Sequence, residues 1–233
     1  SAAIPFSSVF VRRYPFAEIV KKSVLSDTAV VGEYSATEYA STKVFVMEDT
    51  ELFPTRNVKV KGIKLFGDNR LDRVLCQVSA LFKKTGGPLS NVFGTVGPGV
   101  AEITDVTVRE IAEKGIAARL DGNMLLVGDG EFMEQHHITL LYDSEDARQI
   151  DGGKVSIMYV AENGVISARF YLQYIPNPEF EKTAERLAKE GIAVIVRTFD
   201  PNVSDRLINK VSYIGSYPVR VVRKDVAVLD EDK

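Results

Sequence analysis

Two short runs of uninterrupted apolar residues, each stopped by polar ones, constrain this chain's fold more than any other feature. Lys43-Val44-Phe45-Val46-Met47 runs into Glu48-Asp49-Thr50, and Ile192 to Val196 runs into Thr198-Phe199-Asp200. A few apolar residues without alternation read as a strand covered on both faces, the habit of a parallel sheet. Such sheets place ligands at the carboxyl ends of their strands, so the residues that stop each run are candidates for chemistry. The plainer alternative is that polar residues simply terminate buried strands.

The stretch between the two runs has a different period. Val58-Lys59-Val60-Lys61 alternates as a half-exposed antiparallel strand does. Ile116 to Leu120, Asp121-Gly122 and Met124 to Val127 predict a hairpin on an Asp-Gly turn, and Val155 to Ala161, Glu162-Asn163-Gly164 and Val165 to Phe170 predict a second. Leu71, Val74, Leu75, Val78 and Phe82 have helical spacing. Thr85-Gly86-Gly87-Pro88 breaks that helix, and Leu89 to Phe93 begins another. Phe180, Ala184 and Leu187 mark an amphipathic helix over 179–190 that Gly191 stops. Before the first run, residues 5–25 have helix-like spacing, Ala29-Val30-Val31 reads as a short strand, and 33–41 as a polar, weakly helical stretch. The order implies an α/β chain. Residues 1–55 and 165–233 form a parallel-sheet domain, interrupted by an inserted antiparallel α+β domain of residues 56–164. The crossings are expected near Pro54-Thr55 and Asn163-Gly164, where turn residues separate the two periodicities.

Composition narrows the function classes. At 233 residues the chain is long enough for two modest cores. With 29 Lys+Arg against 32 Asp+Glu the net charge is −3, which gives no electrostatic reason to expect nucleic acid. Hydrophobic residues at 45% and charged residues at 26% exclude intrinsic disorder. The single cysteine, Cys76, cannot form an internal disulfide and points to a reducing compartment. His136-His137 are adjacent, so their side chains diverge, and no Cys/His spacing suits zinc, so no metal site is expected. Gly128-Asp129-Gly130 lacks the Lys-Ser/Thr of a phosphate-binding loop. No run of about 18 apolar residues exists to span a bilayer. The opening Ser1-Ala2-Ala3, without an initiator Met, predicts a piece excised from a longer protein, and a membrane protein is one obvious source.

The residues around these landmarks resemble the cytoplasmic headpiece of P-type cation-transporting ATPases. In that family a phosphorylation domain of haloacid-dehalogenase type is split by a nucleotide-binding domain. Val44-Phe45-Val46-Met47-Glu48-Asp49-Thr50-Glu51-Leu52-Phe53 sits where the family has an apolar strand followed by D-K-T-G-T-L. Thr50 keeps the first Thr, while Glu48 falls at the phosphorylated Asp and Asp49 at the Lys. Thr85-Gly86-Gly87-Pro88-Leu89 is similar to the S-E-H-P-L loop of the heavy-metal branch, with Gly87 in place of the adenine-contacting His. Gly115-Ile116 to Val127-Gly128 is similar to the family's G-x-G-v…v-d-G-k…v-G-n stretch, with Glu113 in place of its first Gly. Gly164 to Gly191 resembles the return segment, with Tyr174 at the usual Asp and Asn177 at the Arg. Thr198-Phe199-Asp200 matches T-G-D apart from its middle residue, and the G-D-G-x-N-D magnesium motif is absent.

The resemblance implies catalytic positions at Glu48, Asp49, Thr50, Thr198 and Asp200, all degenerate, and weak nucleotide contacts at Gly87, Pro88, Gly115 and Gly128. Phosphoryl transfer needs an in-line nucleophile, a cation on the transferring oxygens and Mg²⁺. Glu48 carries an extra methylene, and a misplacement of about 1 Å costs on the order of a hundredfold. The lost Lys and the missing acidic residues remove charge stabilisation from the same transition state. The expectation is therefore an inactive headpiece with a structural or regulatory role at the cytoplasmic face of the cell membrane. It is flanked by transmembrane helices of its own polypeptide and needs no cofactor. Two alternatives stand beside it. One is a divergent cation pump or phosphohydrolase using Asp49 or Glu48 with ATP and Mg²⁺, and the other is a module that senses nucleotide or another small ligand.

Overall fold

The computed structural model describes residues 44–90, 92–93, 103–140 and 155–229. The expectations for residues 5–41 lie outside that range.

Two sheets organise the described chain. The first is parallel and three-stranded, in the order β1 (Val44–Glu48), β8 (Ala193–Thr198), β9 (Val219–Arg223). Val44 pairs with Ala193 and Glu48 with Arg197, so the two apolar runs of the sequence lie side by side with their polar ends together. The second sheet is antiparallel and six-stranded. Its order is β2 (Val58–Leu65), β7 (Val165–Tyr174), β6 (Val155–Glu162), β5 (Asn123–Gly128), β4 (Gly115–Leu120), β3 (Val106–Ile111). Both expected hairpins form. Asp121 and Gly122 turn β4 into β5, and Asn163 and Gly164 turn β6 into β7, all four with positive φ as a type I′ turn requires.

Two sequence expectations about the strands are corrected. The run Val44–Met47 has the pattern of a strand covered on both faces, but among the described residues β1 pairs on one side only, and Phe45, Val46 and Met47 are only half-buried. β8 lies between two neighbours and has the burial expected of both runs, with Val194, Ile195 and Val196 at 1% exposure or less. The return crossing does not fall at Asn163-Gly164, because that dipeptide is the tight turn of the β6–β7 hairpin. All of Val165–Tyr174 belongs to the antiparallel sheet, paired with β6 on one side and β2 on the other. The chain returns at Ile175–Asn177, alongside its own way out. There the Ile175 amide donates to the Asn57 carbonyl at 3.0 Å and the Asn177 amide to the Leu52 carbonyl at 2.8 Å.

Helices cover the sheets where their apolar spacing allows. α1 (Leu71–Thr85) buries Val74, Val78, Leu81 and Phe82 against the antiparallel sheet. α2 (Gly130–Gln135) is short and is capped by Asp129, whose carboxylate accepts the Phe132 amide at 2.9 Å. α3 (Pro178–Lys189) has the same device from Asn177, with Pro at its first position. α4 (Asp205–Val211) is capped by Ser204. Leu89 and Ser90 lie in a turn rather than a helix.

One contiguous apolar core runs from Val194 and Val196 through Phe53 and Tyr174 to Val78, Phe82 and Phe170, so it lies beneath both sheets at once. A smaller core of Phe132, Met133, Tyr159 and Ile166 covers the opposite face of the antiparallel sheet. There the buried Arg169 guanidinium lies between the rings of Phe66 and Tyr159, 5.2 and 5.0 Å from their centroids.

Candidate functional site

The carboxyl ends of β1 and β8 build the site. β1 ends at Glu48 and the chain turns at once into a helical turn, Asp49–Leu52, closed by the Phe53 amide on the Asp49 carbonyl at 2.7 Å. That turn swings consecutive side chains apart. Glu48 goes to the rim, where it pairs with Lys224 just beyond β9. Thr50 is exposed. Asp49 goes inward and is 2% exposed.

Asp49 meets what β8 delivers. The Thr198 hydroxyl donates to Asp49 Oδ2 at 2.5 Å and accepts the Asp200 amide at 2.9 Å. Asp200, 1% exposed, takes the Tyr174 hydroxyl on Oδ2 at 2.7 Å and the amide and side chain of Asn202 on Oδ1 at 2.9 and 3.2 Å. Tyr174 is the last residue of β7 and packs edge-on to Phe53, so the antiparallel sheet itself holds Asp200 in place.

Burial sets the protonation states here. Asp49 is raised to about 7, first by desolvation and further by the Asp200 charge, against the Thr198 hydrogen bond that favours the carboxylate. Burial also raises Asp200, although its hydrogen bonds and Arg223 oppose the shift. Tyr174 is held well above its usual value by burial and then by the adjacent Asp200, so it stays a donor.

Of the sequence candidates, Asp49, Thr198 and Asp200 therefore form one buried network, with Glu48 and Thr50 on its rim. Gly87 belongs with them, because a Cβ built on it would lie 3.2 Å from Asp49 Oδ2. Pro88 is buried beside it in the same turn. Gly115 and Gly128 lie elsewhere. They pair with each other across β4 and β5, and a Cβ on Gly115 would fall 2.1 Å from the Phe132 ring, so the protein's own side chain fills that space. A depression of about 360 Å³ opens over Asp49, lined by Glu48, Thr50, Lys83, Lys84 and Lys224 among others.

Sequence reasoning missed Arg223 and Lys224, and it read Tyr174 only as a departure from a motif. Arg223 reaches from β9 to the carbonyls of Asp200 and Pro201 and to that of Glu113 between β3 and β4. The signal for both was the stretch Val219-Arg220-Val221-Val222-Arg223-Lys224, a strand pattern ending in two cations.

Much of this donor set is already committed to internal hydrogen bonds. A hard cation needs several free oxygens, and both oxygens of Asp200 and one of Asp49 already accept internal hydrogen bonds. Among the described residues no three His, Cys, Asp or Glu side chains are placed to share a metal ion.

No family model matches the sequence, and no curated protein matches it. The chain is similar in structure to N-domain and catalytic-domain pieces of P-type ATPases. One similar structure is a zinc-transporting PIB-type ATPase, at 15% identity and a TM-score of 0.42, covering 78% of this chain and 28% of that one. Another is the N-domain of HMA6, a copper-transporting P-type ATPase, at 17% identity and 0.40, covering 50% of this chain and 99% of that one. A third is the catalytic domain of the CPx-ATPase CopB-B, at 15% identity and 0.46, covering 80% of this chain and 65% of that one. The chain thus spans under a third of the zinc-transporting ATPase it is similar to.

Proposed function

We propose that this chain is the headpiece of a P-type-ATPase-like membrane protein, at the cytoplasmic face, that has lost phosphoryl-transfer chemistry and serves a structural or regulatory role. The observation behind this reading is the closeness of Gly87 to Asp49. In the resembled family the loop matching 85–89 holds adenine, while the carboxylate at the end of the first strand takes the γ-phosphate. A ribose and three phosphates separate those two groups in ATP. Here a Cβ added to Gly87 would already meet Asp49 Oδ2 at 3.2 Å, so the two lie far closer together than the length of the nucleotide. The closed hydrogen bonds of Asp200 and an Asp49 carboxyl that burial raises to about 7 support the same reading, because phosphoryl transfer runs on exposed charge and metal.

Two measurements test it. Purified protein, in the full reading frame with its flanking hydrophobic segments, should show neither ATP hydrolysis nor acid-stable, hydroxylamine-labile phosphorylation. Isothermal titration with ATP should show no saturable heat below about 1 mM, since the aromatic adenine contact is lost and Glu113 adds like charge. A dissociation constant in the low micromolar range reverses the assignment in favour of a nucleotide sensor.

A second reading, a phosphohydrolase using Asp49, draws on one observation. Asp49, and not Glu48, occupies the buried position beside Thr198, with Lys224 on the rim. ATP hydrolysis that persists in Glu48→Gln and disappears in Asp49→Asn would establish it.

A further inference from the structure

We propose that the basic corner formed by α4 and the turn after it, with Tyr213 protruding from it, rests on an anionic bilayer surface. The inference rests on the membrane-facing part of the reading above and adds which surface of the chain meets the lipid.

Topology sets where that corner lies. β1, β8 and β9 run parallel, so Glu48, Thr198 and Arg223 stand at one end of the sheet and Val44, Ala193 and Val219 at the other. α4 follows β8 and leads back to the start of β9 through the helical turn Tyr213–Ser216. The Pro218 carbonyl accepts the Val194 amide at 2.8 Å, which pins this return to the amino ends of the strands. The chain enters β1 at that same end, away from Asp49. In a headpiece joined to membrane helices through the residues before β1, this is the end that faces the bilayer.

Two features of the corner fit a lipid surface. Tyr213 is 90% exposed, more than any other large apolar side chain among the described residues, while the adjacent Ile214 is buried and anchors the turn. A protruding Tyr on a fixed turn suits headgroup depth, where its ring finds apolar surroundings and its hydroxyl stays wet. The second feature is charge. Arg206 and Lys210 stand four residues apart on one face of α4, both exposed, and Arg220 is exposed near the start of β9. Asp205 is the only acid between Val203 and Lys224 in the sequence, and it is already engaged by the Val221 amide at 2.8 Å and by Arg220 at 3.9 Å. Desolvation and then Arg206 hold Lys210 below the usual lysine value, so these cations gain from a counter-charge. An acidic peptide would answer the cations alone, whereas an anionic bilayer answers the ring as well.

The sequence contains no Trp, so Tyr213→Trp makes the corner its own reporter in the full 233-residue chain without nucleotide. Phosphatidylcholine vesicles containing about one-third phosphatidylserine should shift its emission to the blue, and high salt should reverse the shift. Phosphatidylcholine alone should leave it unmoved. Val165→Trp, at another exposed apolar position beside the β6–β7 turn, should not respond to either vesicle. In co-sedimentation with the anionic vesicles, Arg206→Gln and Arg220→Gln should each weaken binding about fivefold, and Tyr213→Ser should weaken it too. No shift at position 213, an equal shift at position 165, or binding indifferent to all three variants would overturn the proposal. A shift with polyglutamate and none with vesicles would assign the corner to an acidic protein partner and overturn it as well. ATP takes no part, so a chain that hydrolyses ATP yet docks this way defeats the inactive reading and leaves this one standing.

Discussion

The Thr198 hydroxyl donates to Asp49 at 2.5 Å while accepting the Asp200 amide, so one side chain of β8 ties the ends of two parallel strands into a single polar network. The two residues are 149 positions apart. What that network does to charge yields the first prediction.

Asp49 titrates at about 7 in the folded chain against 3.8 when free. The folded state therefore holds more protons than the unfolded state between those values, and stability falls as pH rises through that window. At about 1.4 kcal/mol per unit the contribution is of order 4 kcal/mol, fully present below pH 4 and lost above pH 7. Asp49→Asn, which mimics the protonated acid, should match the parent near pH 4 and exceed it by a few kcal/mol at pH 8. Urea unfolding at both pH values checks this, and a difference between the two proteins that does not change with pH would sink it.

Tyr174→Phe should destabilise the chain by about 1–3 kcal/mol, because Asp200 Oδ2 keeps its burial and loses its donor. The ring contact with Phe53 survives the change, so the loss isolates the hydroxyl. Chemical denaturation with an unchanged m-value is the measurement.

Glu48→Gln, by contrast, should cost under about 1 kcal/mol, since Glu48 is 43% exposed and its partner Lys224 lies at the rim. A loss as large as that of Tyr174→Phe would show that Glu48 belongs to the buried network after all.

Gly115→Ala should destabilise by roughly 1–3 kcal/mol through overpacking against the Phe132 ring. Adding Phe132→Leu should recover part of that loss, a coupling that thermal unfolding of the two singles and the double resolves. If Gly115 instead serves only a ligand, its substitution leaves stability untouched.

What the sequence disclosed divides along a physical line. Asp121-Gly122 and Asn163-Gly164 announced their turns because positive φ at two successive positions leaves few residue choices. The polar ends of β1 and β8 announced a site because carboxylates and hydroxyls name themselves. Arg223 was illegible because it works through the carbonyls of Glu113, Asp200 and Pro201, and a carbonyl is the same in every residue. Gly115 and Gly128 signalled close approach correctly, but a glycine does not say what approaches, and Phe132 arrives from a neighbouring helix. The length of β7 was hidden for a related reason. Val165 to Phe170 gave its hairpin pairing with β6, while the partner on its other edge, β2, lies about a hundred residues earlier.

That late pairing sets a clock on the ribosome. β1 is made early, but its partner β8 emerges only after the whole antiparallel sheet, with β7 closing on both β2 and β6. At roughly 5–20 residues per second, the Val44-Phe45-Val46-Met47 strand waits on the order of ten seconds with an apolar edge bare. The segment that will carry Asp49 is thus open to mispairing during synthesis, and a holdase acting before β8 appears should raise the yield of folded protein more than one added afterwards.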